Sequence, residues 1–91
     1  MNELNVSVLI PAFNCAEKLP VCIRSIHDQT AHPLEIIVID DGSTDETADI
    51  AEKIEGVLLV QRAERGGAGA ARASGVRAAR GDVVVFIDSD C

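Results

Sequence analysis

Aromatic residues are almost missing from this sequence. It has no tryptophan, no tyrosine and two phenylalanines, Phe13 and Phe86. That weakens the case for single-stranded nucleic-acid binding, which relies on aromatic stacking platforms. Positive charge is also scarce, with 8 Lys and Arg against 15 Asp and Glu and a formal net charge of −7. Such a chain is a poor partner for a nucleic-acid backbone or an anionic membrane through its overall field. Three cysteines cannot all pair within one chain, and they form no C-x-x-C, so neither a zinc knuckle nor a disulfide scaffold is indicated. A helix through both Cys15 and Cys22 would hold their Cα atoms about 10 Å apart, too far for a disulfide. The expected compartment is reducing and cytoplasmic. Purely apolar runs such as residues 83–87 fall far short of the roughly 20 residues that span a bilayer, so no membrane segment is expected. No basic stretch followed by a long apolar one opens the chain, so no secretory signal is expected. No Gly-Lys-Ser/Thr occurs, which excludes a Walker loop. His27 and His32 have no metal-ligand spacing, and no Ser/His/Asp or Cys/His triad can be assembled.

What remains is a globular composition, 47% hydrophobic and 25% charged over 91 residues, read as one unit covering residues 1–91. The β-branched run Val6-Ser7-Val8-Leu9-Ile10, closed by Pro11, reads as a strand buried on both faces. Leu19, Cys22, Ile23 and Ile26 recur at helical spacing, and Pro20 suits only the first turn, so a helix begins near Leu19. Residues 34–39 give a second strand ending on Asp40-Asp41-Gly42. Ser43 and Glu46 have the spacing of a capping box for a helix whose inward stripe is Thr47, Ile50, Ala51 and Ile54, stopped by Gly56. Residues 57–60 form a third strand. Gly66 and Gly67 open an Ala-rich helix that runs to about Ala79 and is closed by Gly81. Residues 82–87 form a fourth strand ending on Asp88-Ser89-Asp90. The order βαβαβαβ with short connections predicts an α/β fold: an open, mainly parallel four-stranded β-sheet with helices on both faces.

Open parallel sheets bind ligands at the carboxyl ends of their strands, beside the point where strand order reverses. The unusual residues stand at those ends: Pro11-Ala12-Phe13-Asn14, Asp40-Asp41 and Asp88-Ser89-Asp90. Convergence would put three or four carboxylates in one small volume, where they repel unless a cation lies among them. Hard oxygen ligands favour Mg²⁺ or Mn²⁺, and magnesium completes its shell with water and phosphate oxygens. A metal-bridged diphosphate is the natural ligand. Asp88 and Asp90 would project to one side of a strand, with Cα atoms roughly 6–7 Å apart. Adjacent Asp40 and Asp41 would point opposite ways, one toward the cleft and one bracing the loop. The alternative is that all four are solvated turn residues.

Charge is polarised along the chain, and five of the eight basic residues lie between Arg62 and Arg80: Arg62, Arg65, Arg72, Arg77 and Arg80. The Gly66-Gly67-Ala68-Gly69 cluster could present N–H groups to a phosphate. Its pattern departs from the dinucleotide fingerprint and follows the third strand rather than the first, so close helix–sheet packing is the favoured reading. Arg65 or Arg72 could offset phosphate charge.

Taken together and in order, residues 6–14, Gln29-Thr30, residues 35–45, Gly69-Ala70-Ala71-Arg72 and residues 86–90 resemble the N-terminal half of a family 2 (GT-A fold) glycosyltransferase. The resemblance covers nearly the whole chain. It implies transfer of a sugar from a nucleotide-diphospho-sugar donor, usually UDP-linked, to an acceptor hydroxyl with inversion. By that likeness the donor nucleotide would be held by Pro11, Ala12, Asn14, Asp40, Asp41, Arg72 and Asp88. Pro11 and Ala12 would lie against the nucleoside, Asp41 would accept the base N–H, and Asp40 would support its loop. Asp88-Ser89-Asp90 looks like the DxD motif. There Asp90 would ligate Mn²⁺ or Mg²⁺, and Asp88 would meet the ribose or the metal shell.

Two departures stand out: Ala73 where many relatives carry Asn, and Cys91 where an acid is frequent. No catalytic residue is assigned within the chain, because the general base of the family is expected beyond Cys91, in the acceptor-binding half. The chain therefore reads as a donor-binding fragment, inactive alone, with an unknown acceptor and an open sheet edge or face that favours self-association. The competing readings are a non-catalytic nucleotide-binding or regulatory module and a nucleotidyltransferase-like α/β domain. A phosphate-accepting receiver is disfavoured, since the first strand ends without an acidic pair and no lysine follows Lys53.

Overall fold

The computed structural model describes residues 5–29, 33 and 35–88. Strands β1 (Val6–Ala12), β2 (Glu35–Asp41), β3 (Val57–Arg62) and β4 (Val83–Phe86) alternate with helices α1 (Leu19–Gln29), α2 (Thr47–Lys53) and α3 (Ala68–Ala78). All the pairings are parallel, in the order β3-β2-β1-β4, so the predicted α/β sheet is the observed one. The strand order reverses beside β1, because β1 to β3 are laid down in one direction and β4 returns to the other side of β1.

Side-chain alternation divides the central strands between two cores. Val8, Ile10 and Ala12 of β1 join Ile36 and Val38 of β2 against the α1 stripe of Leu19, Ile23 and Ile26 and against Ala51 of α2. Leu9, Ile37 and Ile39 face the other way and pack with Ala71 of α3. Helix α3 lies close to the sheet because Gly75 permits it. A Cβ there would come within 2.7 Å of the Leu9 side chain and 2.8 Å of that of Ile39. The close helix–sheet approach expected of the Gly66–Gly69 cluster is thus made by Gly75, one to two turns further on.

Two boundaries differ from expectation. Strand β1 does not end at Pro11, which pairs with Ile39, and Ala12 pairs with Asp40. The Ile87 N–H donates to the Leu9 carbonyl, so Leu9, and by alternation Pro11, turn their backbone groups toward β4. Pro11 has no N–H with which to continue that ladder. Strand β1 runs on to Ala12 beside β2, whereas β4 ends at Phe86. The capping box is also absent. Helix α2 starts at Thr47, its first residue is preceded by Glu46 without a side-chain cap, and the Asp45 carboxylate accepts the Thr47 N–H at 2.9 Å. Ser43 is drawn elsewhere, its hydroxyl accepting the Asn14 N–H at 2.9 Å.

Edge strand β4 leaves Val83, Val85 and Phe86 exposed. Among the described residues no helix is long and apolar enough to cross a membrane.

Candidate nucleotide-binding site

A cleft of about 320 Å³ opens at the carboxyl ends of the strands, beside the end of β4. It is lined by Pro11, Ala12 and Phe13 after β1, Asp41 at the end of β2, Arg65 and Gly67 before α3, Ala68, Ala71 and Arg72 on α3, and Asp88 after β4. Its size is that of a small-molecule site. Five of the sequence-predicted residues, Pro11, Ala12, Asp41, Arg72 and Asp88, come together here.

Asp41 is the best-ordered of them chemically. Its place in β2 puts it on the α3 face of the sheet, and it is 4% exposed. Oδ1 accepts the Gly66 N–H at 2.9 Å and Arg62 Nε at 3.0 Å, and Oδ2 accepts the Gly67 N–H at 2.8 Å. Burial pushes the carboxyl pKa up, but the two N–H groups and the guanidinium outweigh it, and the net effect is a lowered pKa. Gly67, at φ 88°, takes a left-handed turn that an L side chain resists. The glycine-rich turn thus cradles an anion, as such turns do, and the anion is the chain's own carboxylate.

Asp40 faces the opposite way, as expected for adjacent strand residues, and braces the loop by accepting the Ser43 N–H at 3.2 Å. Asn14 does not reach the cleft lining. It sits in the left-handed region at φ 52°, and its Oδ1 accepts the Thr44 N–H at 2.8 Å. Together Asp40, Ser43, Asn14 and Thr44 lock the β1 loop to the β2 loop. Of the four carboxylates expected to converge, Asp40 faces away from the cleft. Among the described residues Asp41 and Asp88 line the cleft, and arginines accompany both. Nor do the described residues contain a group of three or more His, Cys, Asp or Glu able to hold a metal ion. Asp90 lies outside the described residues.

Asp88 contrasts with Asp41. Its side chain is 80% exposed, and its nearest cation, Arg72 Nη2, stands 3.9 Å from Oδ1, beyond hydrogen-bonding distance. Both oxygens are available to a ligand. Arg72 also lies 5.8 Å from the Phe86 ring centroid, and Arg65 sits 4.0 Å over the Phe13 ring. Sequence reasoning did not single out Arg62 as a site residue. The signal was present in the register, since Asp41 and Arg62 close neighbouring parallel strands and pair directly.

A family model, Glycosyl transferase family 2, matches residues 7–91. The chain belongs to this family. The uncharacterised glycosyltransferase YibD of Escherichia coli (strain K12) is 41% identical over 95 residues, covering 99% of this chain and 27% of YibD. The mannosyltransferase PcManGT from Pyrobaculum calidifontis, solved with GDP-Man and Mn²⁺, superposes with a TM-score of 0.87 at 31% identity, over 98% of this chain and 28% of that one. Glucosyl-3-phosphoglycerate synthase from Mycobacterium tuberculosis, solved with Mn²⁺, UDP and glucosyl-3-phosphoglycerate, gives a TM-score of 0.82 at 37% identity, over 96% and 34%. The chain thus spans about a third or less of the length of these relatives. The two solved structures share the parallel α/β arrangement described above.

Proposed function

We propose that this family 2 chain binds the nucleoside diphosphate of a sugar donor in the cleft between β1, β4 and α3, for transfer of the sugar to an acceptor hydroxyl with inversion. The observation that carries the reading is the convergence of Pro11, Ala12, Asp41, Arg72 and Asp88, from four separate stretches of sequence, on one cleft. Pro11 and Ala12 form an apolar wall for the nucleoside. Asp41 stays ionised and accepts an N–H from the base edge, which suits uracil or guanine, the bases of the nucleotides bound to the two solved relatives. Arg72 and Arg65 bring positive charge to a diphosphate.

Mn²⁺ is present in both relatives, and the exposed carboxylate of Asp88 has the oxygen chemistry for such an ion or for Mg²⁺. Asp88 and Asp90 would hold it as a DxD pair. When bound, the cation offsets charge on the departing diphosphate. No residue of this chain is assigned as the base that activates the acceptor. The apolar edge formed by Val83, Val85 and Phe86 supports self-association, for which a concentration-dependent shift in size-exclusion elution is expected and a monomer at all concentrations is the opposing result.

Calorimetric titration with UDP and GDP tests the donor reading. Binding of one of them with Kd between millimolar and micromolar, about −4 to −8 kcal/mol, and tightened at least tenfold by Mn²⁺, is expected. Equal affinity with and without the metal would remove the metal role of Asp88 and Asp90, and no binding of either nucleotide would remove the proposal.

A further inference from the structure

We propose that Arg62, which does not line the nucleotide cleft, is a positioning residue for the donor: it holds Oδ1 of Asp41 so that Oδ2 is left to accept the donor's base N–H. The inference rests on the nucleotide reading above and goes beyond it by assigning the residue that aims the recognition group. A carboxylate oxygen accepts two hydrogen bonds in its plane. Oδ1 has both of its places filled, by Arg62 Nε at 3.0 Å and the Gly66 N–H at 2.9 Å. Oδ2 takes the Gly67 N–H at 2.8 Å, which leaves it one place among the described contacts.

Arg62 is itself tethered. Its Nη1 donates to Ser74 Oγ at 2.7 Å on the second turn of α3 and reaches the Ala70 carbonyl at 3.5 Å. The guanidinium therefore ties β3, Asp41 and α3 into one unit, and Gly66 leaves room for it, since a Cβ there would stand 2.6 Å from Nη2. A lysine at position 62 could meet Asp41 or Ser74 but lacks the planar fork that meets both. The charged groups around Asp41 are Arg62 from β3, Arg65 from the β3–α3 loop, Arg72 from α3, Asp88 across the cleft, and Asp40 beside it on the other sheet face. Arg62 is the cation in contact with the carboxylate. Without it, burial weighs more heavily against the ionised form.

The test is a double-mutant cycle on the affinity for UDP and GDP in the presence of Mn²⁺, at pH 7.5 and pH 5.5, with thermal melts to show that each variant is folded. Arg62→Gln is expected to weaken the preferred nucleotide about tenfold relative to wild type at the higher pH and by a larger factor relative to wild type at the lower, the nucleotide's own titration being common to both. Arg62→Lys recovers part of the loss. In an Asp41→Asn background Arg62→Gln changes affinity less than about twofold, because the arginine acts through that carboxylate. Ser74→Ala, which leaves Arg62 on Asp41 and removes only its tether, serves if the Arg62 variants do not fold, and weakens binding about threefold with no change in fold. Wild-type binding that is indifferent to Arg62→Gln and to Ser74→Ala overturns this inference alone, as do losses that simply add in the double variant. Absence of UDP and GDP binding by the wild-type protein overturns the donor reading and this inference with it.

Discussion

Among the described residues, two of the three buried carboxylates, Asp41 and Glu35, do the same mechanical work at opposite ends of the sheet. At the carboxyl ends Asp41 gathers Gly66, Gly67 and Arg62. At the amino ends Glu35 accepts the Ser7 hydroxyl at 2.7 Å, the Arg80 N–H at 2.7 Å and Arg80 Nε at 3.4 Å. Ser7 in turn accepts the Gly81 N–H at 2.8 Å. Each acid pins the connection at one end of α3, and each has a lowered pKa in spite of its burial. Yet Asp41 lines the cleft at the carboxyl ends, whereas Glu35 starts β2 at the opposite end of the sheet. A buried carboxylate held by N–H groups and an arginine is thus a fastening first. At the carboxyl ends that fastening faces a cleft and leaves Asp41 Oδ2 one place among the described contacts.

The largest expected contrast lies in nucleotide affinity. Asp41→Asn should weaken UDP or GDP binding roughly 10–100-fold, the worth of a hydrogen bond to a charged group. Glu35→Gln should leave it within about twofold in the same calorimetric assay, and an equal loss in both variants would erase the distinction between the two rims. For stability the order reverses. A Cβ at Gly81 would meet Ser7 Oγ at 2.6 Å and the Asn5 carbonyl at 2.8 Å, backbone that cannot yield cheaply. Gly81→Ala should cost about 1–3 kcal/mol in denaturant titration. A Cβ at Gly66 would meet Arg62 Nη2 at 2.6 Å and the Ala70 Cβ at 2.9 Å, so Gly66→Ala should displace the guanidinium and cost nucleotide affinity, which Gly81→Ala should not.

The smallest effect is the acid limb of stability. Both pKa values are lower folded than unfolded, so each acid contributes stability that is present above its ordinary carboxylate range and lost as the pH falls through the folded value. Asp41→Asn and Glu35→Gln should each flatten that limb, leaving the profile above about pH 6 parallel to wild type. A variant that retains the full acid loss would show that its carboxylate is not coupled to folding.

Much of this was legible in the sequence because it is local. The β-branched runs and the stripe of Leu19, Ile23 and Ile26 mark strands and helix wherever they occur, and the alternation of elements leaves few ways to arrange them. The opposed directions of Asp40 and Asp41 follow from strand alternation alone. Legibility failed where a tertiary contact took a side chain from its local role. Ser43 and Glu46 have capping spacing, but Ser43 is engaged by the Asn14 N–H, and Asp45 serves the helix instead. Asn14 belongs to a loop that the resemblance assigns to the donor, yet a left-handed backbone turns it onto Thr44. The glycine-rich turn reads equally as packing or as a phosphate cradle until the carboxylate that fills it, 25 residues distant in sequence, is in place. Asp90 and the metal that it would ligate stay on the footing of the family motif, because that residue lies outside the described part of the chain.

Amide shift mapping by NMR on addition of UDP or GDP with Mg²⁺ tests the central claim most directly. The account predicts perturbations at Ala12, Phe13, Gly66, Gly67, Ala71, Arg72 and Asp88, with Ser7, Glu35, Arg80 and Gly81 unmoved. Perturbations centred on the amino rim, or none at either end under conditions where the chain is folded, would contradict it.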